Sequence, residues 1–224
     1  MIPQASEAAG ELLGGYPLSN SLKILFVLTL LSLLPAIVLT MTSFVRTVVV
    51  LSFVRQGVGS PQTPPTQVIV GLAMFLTMFV MAPVMDQVKS QAVDPYVAGQ
   101  ISDVDALKRA LVPMRTFMLQ QTRETDLKLF YDATSAALPE TPDDVSLRMA
   151  IPAFVVSELT TAFQMGVIVL LPFLVVDLAV ASLLMSMGMM MVPPTTLSLP
   201  IKLLLFVLVD GWNLVCGSLL KSYA

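Results

Sequence analysis

The chain has 224 residues, of which 56% are hydrophobic and 12% are charged, and its net charge is -3. Soluble domains carry roughly 25% charged residues, so this composition is typical of a membrane protein. The sequence contains no basic tract that could neutralise a run of phosphates, and this argues against nucleic acid as a partner. Histidine is absent and Cys216 is the one cysteine, so we expect no disulfide within the chain, no catalytic residues, no metal and no cofactor.

The N-terminal residues 1–21 differ from the rest of the chain. They hold Glu7 and Glu11 among glycines and alanines, without the basic start and apolar core of a secretory signal. We therefore expect a mobile tail. Residues 24–45 are uncharged over 22 positions, whereas the core of a signal is about 7 to 15 residues long, so they predict a membrane helix.

A second uncharged run covers residues 56–85, and its apolar part follows the segment Thr63-Pro64-Pro65-Thr66. A threonine there is predicted to cap a helix and a proline to occupy its first turn. The two apolar segments then form a helical hairpin that turns near residues 57–65. Arg46 and Arg55 are assigned to this first turn, which by the positive-inside tendency faces the cytoplasm.

The centre of the chain, residues 86–148, is polar, because it holds ten of the fifteen acids and seven of the twelve bases. Asp103 is predicted to cap a helix in this segment. Apolar residues follow at helical spacing, at Leu107, Leu111 and Met114 and again at Leu127, Phe130 and Tyr131. We expect a small helical module on the opposite side of the membrane from the first turn, with residues 133–145 as a loop.

The last third is apolar again over residues 151–191 and 197–220, and it is predicted to form a second hairpin. Four charged residues lie in it, at Glu158, Asp177, Lys202 and Asp210. Each would cost on the order of 3 kcal/mol if it faced lipid, so we infer that protein surrounds this hairpin. We also expect a helix break at Asp210-Gly211-Trp212-Asn213, because glycine and asparagine weaken a helix.

Lys202 needs a partner from another segment. It lies eight positions from Asp210, which on one helix turns the two side chains about 80° apart. The expected partner is therefore a carboxylate such as Glu158 or Asp177, either in the same chain or in a neighbouring subunit, where the pair would fix how subunits stack.

These segments predict an all-α fold with two long kinked helical hairpins and a small central helical module. The predicted domain covers residues 22–224, with one hairpin at 22–88, the polar module at 89–150 and the other hairpin at 151–224. Between the two apolar segments of the second hairpin, the run from Met185 to Pro194 holds five methionines in seven residues. Methionine side chains are flexible and polarizable, so they can contact surfaces of many shapes, although they also serve as core filler.

Several strings of residues resemble the FliP family of flagellar export proteins, which includes the corresponding subunit of virulence injectisomes. They are Arg55-Gln56, Gln62-Thr63-Pro64-Pro65, Gln67-Val68, Leu171-Pro172-Phe173-Leu174-Val175-Val176-Asp177-Leu178, the methionine run, the segment from Lys202 to Asp210, and Gly211-Trp212. The likeness extends from about residue 22 to the C-terminus. Arg55-Gln56 and Asp210-Gly211-Trp212-Asn213 are more similar to the flagellar branch.

The resemblance implies a subunit of the type III protein export gate in the bacterial inner membrane, at the flagellar basal body. It implies a homo-oligomer, expected as a pentamer, that assembles with FliQ and FliR beside FlhA and FlhB, much of it toward the periplasm. Unfolded flagellar proteins would pass through its centre. By the same resemblance, Met185, Met187, Met189, Met190 and Met191, with Gly188 allowing a tight backbone, form the constriction that closes the channel.

Two other functions are consistent with the residues alone. The methionine spacings could supply soft ligands to Cu(I), as in a copper carrier. A proton-coupled transporter could instead use Asp177, Lys202 and Asp210. The injectisome subunit is the alternative within the same family.

Overall fold

The protein is described by a computed structural model that covers residues 39–60, 63–137, 139, 141–189 and 192–223, with helical residues also at 25, 28, 29, 32, 35 and 36. The predicted tail at residues 1–21, Met190 and Met191 lie outside the described residues. Within these ranges the regular elements are helices and no strand occurs, which confirms the predicted all-α class.

The first hairpin consists of α1 (Phe44–Val58) and α2 (Thr66–Val88). The chain turns between them, as predicted. The placement of Arg46 and Arg55 in that turn is wrong, because both lie in α1. Apolar residues on one face of α1, including Val50, Leu51 and Val54, are almost completely buried, so tertiary packing makes this segment a core helix.

No threonine caps α2, contrary to the prediction. The N-cap position is occupied by Pro65, which has no side-chain acceptor, and its carbonyl oxygen accepts from the N–H groups of Val68 and Ile69. The hydroxyl of Thr66 instead accepts a hydrogen bond from Nη1 of Arg55 at 3.0 Å. The end of α1 and the start of α2 are joined by this bond.

After α2 the helix continues through a π-helical turn (Lys89–Val93) into the short α3 (Asp94–Val97). The polar module then contains α4 (Asp103–Gln121), α5 (Glu124–Thr134) and a 3-10 turn (Pro142–Asp144). Asp103 is not the cap of α4 but its first residue. Ser102 is the N-cap, and its hydroxyl accepts from the N–H of Asp105 at 3.2 Å, because a serine there has the extended backbone that capping requires.

The second hairpin is formed by α6 (Leu147–Ser186), α7 (Pro194–Leu208) and α8 (Gly211–Lys221). Helix α6 begins inside the range assigned to the polar module. Helices α7 and α8 meet at a bend of 62°, which confirms the predicted break. Asp210 forms the bend with a left-handed backbone, φ 50°, a conformation that asparagine and aspartate tolerate better than other residues with a Cβ.

The main core lies where α1 packs against α6, with α2, α7 and α8 around them. Two glycines let aromatic rings come close at this contact: the ring of Phe53 lies against Gly166, and that of Phe173 lies against Gly57. A second cluster joins α2, α4 and α6 around Phe117, Met118 and Phe154. The second cluster attaches the polar module to the hairpins.

Among the described residues, two helical segments are long and apolar enough to cross a membrane, Thr66–Val97 and Leu147–Ser186. The bent pair of α7 and α8 would make a third if it acts as one span. In the most apolar window of the α6 segment, 11% of the residues are buried within the chain. The described part of the chain therefore leaves most of this window uncovered.

Candidate functional site

We call residues 185–191 the methionine turn; its described part, residues 185–189, lies at the end of α6, where the hairpin turns toward α7. Its described part closes the end of α6 with a Schellman motif. The N–H of Gly188 bonds to the carbonyl of Met185 at 3.1 Å, and the N–H of Met189 bonds to that of Leu184 at 3.0 Å. Gly188 has φ 74°, so the predicted tight backbone at this glycine is present and favours a residue without a Cβ.

The described methionines of this turn do not fill a core. Met185 is 60% exposed, Met187 is 66% exposed and Met189 is 41% exposed. Leu184, directly before them, is buried and anchors the turn on the hairpin. Three flexible apolar side chains are therefore presented outward, at a place where the described residues cover them only in part.

Lys202 pairs with Asp177 of the same chain, so the structure joins two of the four predicted charges. Its Nζ lies 2.5 Å from Oδ2 of Asp177, and the hydroxyl of Ser198 donates to Oδ1 at 2.6 Å. Lys202 also lies beside the C-terminal end of α1, because a Cβ placed on Gly59 would be 3.7 Å from Nζ. The carbonyl end of a helix favours a cation, so this ammonium connects α1, α6 and α7.

Glu158 is fully buried and forms an ion pair with Arg46, not with Lys202. We call the surrounding residues the Arg46 network: Arg46, Gln121, Glu158, Ser222 and Tyr223. Nε of Arg46 donates to Oε2 of Glu158 at 3.1 Å, and Nη2 donates to the other carboxylate oxygen and to Gln121. Nη1 donates to the carbonyl oxygen and the hydroxyl of Ser222.

Tyr223 completes this network from the C-terminal end. Its hydroxyl donates to Oε2 of Glu158 at 2.6 Å, and the guanidinium carbon of Arg46 lies 3.9 Å from the centre of its ring. Burial is the main cause that raises the pKa of Tyr223, and the charge of Glu158 adds to it. The hydroxyl therefore stays protonated and acts as a donor. Such a buried pair is tolerated because its donors and acceptors are matched.

Sequence reasoning placed Glu158 correctly as a charge needing a partner but missed Arg46, Ser222 and Tyr223. Glu158 and Arg46 are 112 positions apart, and no local spacing connects them. The sequence offers one indication that Arg46 needs a partner, because it stands next to the long uncharged segment at 24–45. Because Arg46 is paired inside the protein, it does not count as a free base in the positive-inside tendency. The predicted cytoplasmic orientation of the first turn therefore depends on Arg55.

Asp210, the fourth predicted charge, is exposed at the bend between α7 and α8. Asp210 does not pair with Lys202 in the structure, as expected from the angle between the two side chains on one helix. Next to it, the ring of Trp212 packs edge-on against Phe206, with centroids 5.2 Å apart. These residues shape the bend.

A further polar contact fixes the module to α6. The side chain of Arg123 donates to both oxygens of Asp126, and the hydroxyl of Ser157 in α6 donates to Oδ2 at 2.6 Å. The hydrogen bonds from Arg123 hold the pKa of Asp126 below its usual value, with Ser157 contributing and burial opposing. In the part of the chain that is described, no three Asp, Glu, His or Cys side chains come together as a metal site.

The fold and these contacts define an all-α, membrane-associated protein in which two ion pairs, Arg46 with Glu158 and Lys202 with Asp177, join different helices. The model of the FliP family matches residues 27–219, and the chain belongs to this family. It is 53% identical to the flagellar biosynthetic protein FliP of Pectobacterium carotovorum, over 94% of this chain and 81% of that protein. It is 48% identical to the proteins of the same name from Bacillus subtilis, over 92% and 93%, and from Aquifex aeolicus, over 92% and 87%.

Proposed function

We propose that this protein is a pore-forming subunit of the flagellar type III export gate, and that its methionine turn closes the channel. The observation that carries the proposal is the outward presentation of Met185, Met187 and Met189 at a hairpin tip. Relatives named as flagellar biosynthetic proteins support the flagellar setting. Met190 and Met191 belong to the same turn in the sequence and are included in the proposal.

A ring of such turns suits a gate for unfolded polypeptides. Thioether side chains from several subunits can exclude water and ions by closing an apolar constriction that dewets. They can also yield around a passing chain of any sequence, because methionine rotates about three bonds and demands no particular partner shape. One protomer supplies too few methionines to surround a polypeptide, so the proposal requires a homo-oligomer, which we take to be a pentamer with FliQ and FliR beside FlhA and FlhB.

The length of α6 supports an assembly that extends beyond the bilayer. With 40 residues, it is about 60 Å long, roughly twice the thickness of a hydrocarbon core. Its first half carries Glu158 and contacts the polar module, whereas its second half ends at the methionine turn. We propose that the protein resides in the inner membrane at the basal body, with part of the assembly on the periplasmic side.

Replacing Met185, Met187 and Met189 together with alanine should open the constriction to small ions. Each change removes a long side chain from an exposed position, so we expect little loss of folding but a several-fold faster ion leak in cells that assemble the gate. Filament growth and swimming should persist, since a wider constriction still admits an unfolded chain. Conductance or growth inhibition by small ions, recorded together with motility, checks this.

The matched control changes three methionines of α2 that are similarly exposed, Met74, Met78 and Met85. Alanine at these positions should leave the membrane tight, because they do not lie in the turn. If the turn variant is as tight as wild type, or if the control variant leaks equally, the methionine turn does not seal the channel.

Replacing Lys202 with methionine should impair assembly. Lys202 connects α6 with α7 and adjoins the end of α1, so its loss leaves Asp177 without its cation and frees the hairpin that carries the methionine turn. We expect recovery of the complex with FliQ and FliR on a sizing column to fall about tenfold, which corresponds to about 1.4 kcal/mol.

The control is Lys221→Met, which removes an exposed base from the last turn of α8. The exchanged pair, Asp177→Lys with Lys202→Asp, should restore part of the assembly. Normal recovery of the complex with Lys202→Met would show that this ion pair does not position the hairpin.

A further inference from the structure

The final helix, α8, leaves the axis of α7 at 62°. The hinge is Asp210, whose φ of 50° is unfavourable for a residue with a Cβ. A strained hinge persists when its surroundings hold it in place. The contacts of α8 and of the residues after it must therefore maintain the bend.

Two contacts act close to the hinge. Gly211 lies directly under the ring of Phe206, since a Cβ placed on Gly211 would be 2.3 Å from that ring. Trp212 meets the same ring at 90°. Because both contacts lie within one turn of Asp210, they fix the position of the hinge but control the far end of α8 weakly.

Besides the packing of Leu219 in the main core, the far end is held by the last described residues of the chain, Ser222 and Tyr223. Ser222 accepts two hydrogen bonds from Arg46 of α1, at 3.1 Å and 3.0 Å. The ring of Tyr223 is stacked on Phe117 of α4 with centroids 6.2 Å apart, and its hydroxyl bonds to Glu158 of α6. Ser222 and Tyr223, which follow α8, thus contact three other helices, α1, α4 and α6.

We propose that Ser222 and Tyr223 form a C-terminal latch that holds α8 at its bend by docking into the Arg46 network. With the latch closed, Val215 and Leu219 of α8 are buried in the main core. With it open, α8 can swing toward the axis of α7, and the two helices together are apolar enough to form one continuous span. Docking of Ser222 and Tyr223 thus selects between two positions of α8: packed in the main core, or continuing the axis of α7 as part of one span.

The test measures the distance between spin labels on the two arms by pulsed electron paramagnetic resonance. Labels are placed at Leu197→Cys and Ser218→Cys, both exposed, in the full chain with Cys216→Ser. From helix geometry the two Cα atoms are about 4 Å further apart in a straight arrangement than in the bent one. We expect a single narrow distribution with Tyr223 present, and a broadened distribution with a component about 4 Å longer in Tyr223→Ala.

Tyr223→Phe keeps the ring but removes the hydroxyl, so it should give an intermediate population. Lys221→Ala, which removes an exposed side chain of α8, should leave the distribution narrow. A second pair at Leu159→Cys and Val175→Cys reports on α6 itself and should not change with Tyr223→Ala. An unchanged arm distance in Tyr223→Ala would overturn the latch, and so would a change at the α6 pair, because the loss would then be general unfolding. The outcome does not depend on what passes through the gate.

Discussion

Arg46→Met should lower the free energy of unfolding of this protein by about 3 to 5 kcal/mol. The substitution leaves the carboxylate of Glu158, which is 0% exposed, without its cation. It also removes the donors to Gln121 and Ser222. The carboxylate keeps the hydrogen bond from Tyr223 but loses its counter-charge, and one hydrogen bond does not replace its lost hydration, so the native state bears the cost.

Denaturant unfolding of the full chain in detergent would measure this loss. Arg55→Met is the matched control, since Arg55 lies in the same helix but is partly exposed and bonds to Thr66. It should cost less than about 1 kcal/mol. Adding Glu158→Gln to Arg46→Met should recover part of the stability, because the unpaired charge is then gone. Equal effects of the two arginine substitutions would show that the Arg46 network does not stabilise the fold.

Gly166→Ala is the second substitution for which we expect a large effect. The added Cβ would lie 2.2 Å from the ring of Phe53, well inside the contact distance of two carbon atoms. The ring cannot simply rotate away, because it also packs edge-on against Phe163 with centroids 5.3 Å apart. The helices must move apart, and overpacking of this kind costs about 1 to 3 kcal/mol.

The control is Gly71→Ala in α2, where an added Cβ meets nothing within 4 Å. Because alanine has the higher helix propensity, this change should be neutral or stabilise the protein by up to about 1 kcal/mol. A double-mutant cycle with Phe53→Ala isolates the clash, since Gly166→Ala should cost much less when the ring is absent. If Gly166→Ala were as well tolerated as Gly71→Ala, the close contact of α1 and α6 would be absent.

Both predictions concern the contact of α1 with α6, which sequence reasoning did not find. The sequence predicts Arg46 and Arg55 in the first turn, near residues 57–65, whereas the segment that holds both is helix α1. Within the folded chain one of those bases is paired internally, so the segment becomes the centre of the core. The charged residue Arg46 thus marks a buried position of the core and not the end of a helix.

The sequence by itself determined the all-α class, the helix break near Asp210, the turn at Gly188 and the membership of a family. These depend on local features, since helix periodicity, glycine at a left-handed backbone and continuous strings of residues are all read from near neighbours. The tertiary structure alone decided that Lys202 pairs with Asp177, that Glu158 pairs with Arg46, and that Tyr223 donates to Glu158. These partners are far apart in the chain, and no spacing rule connects them, because packing of the helices brings them together.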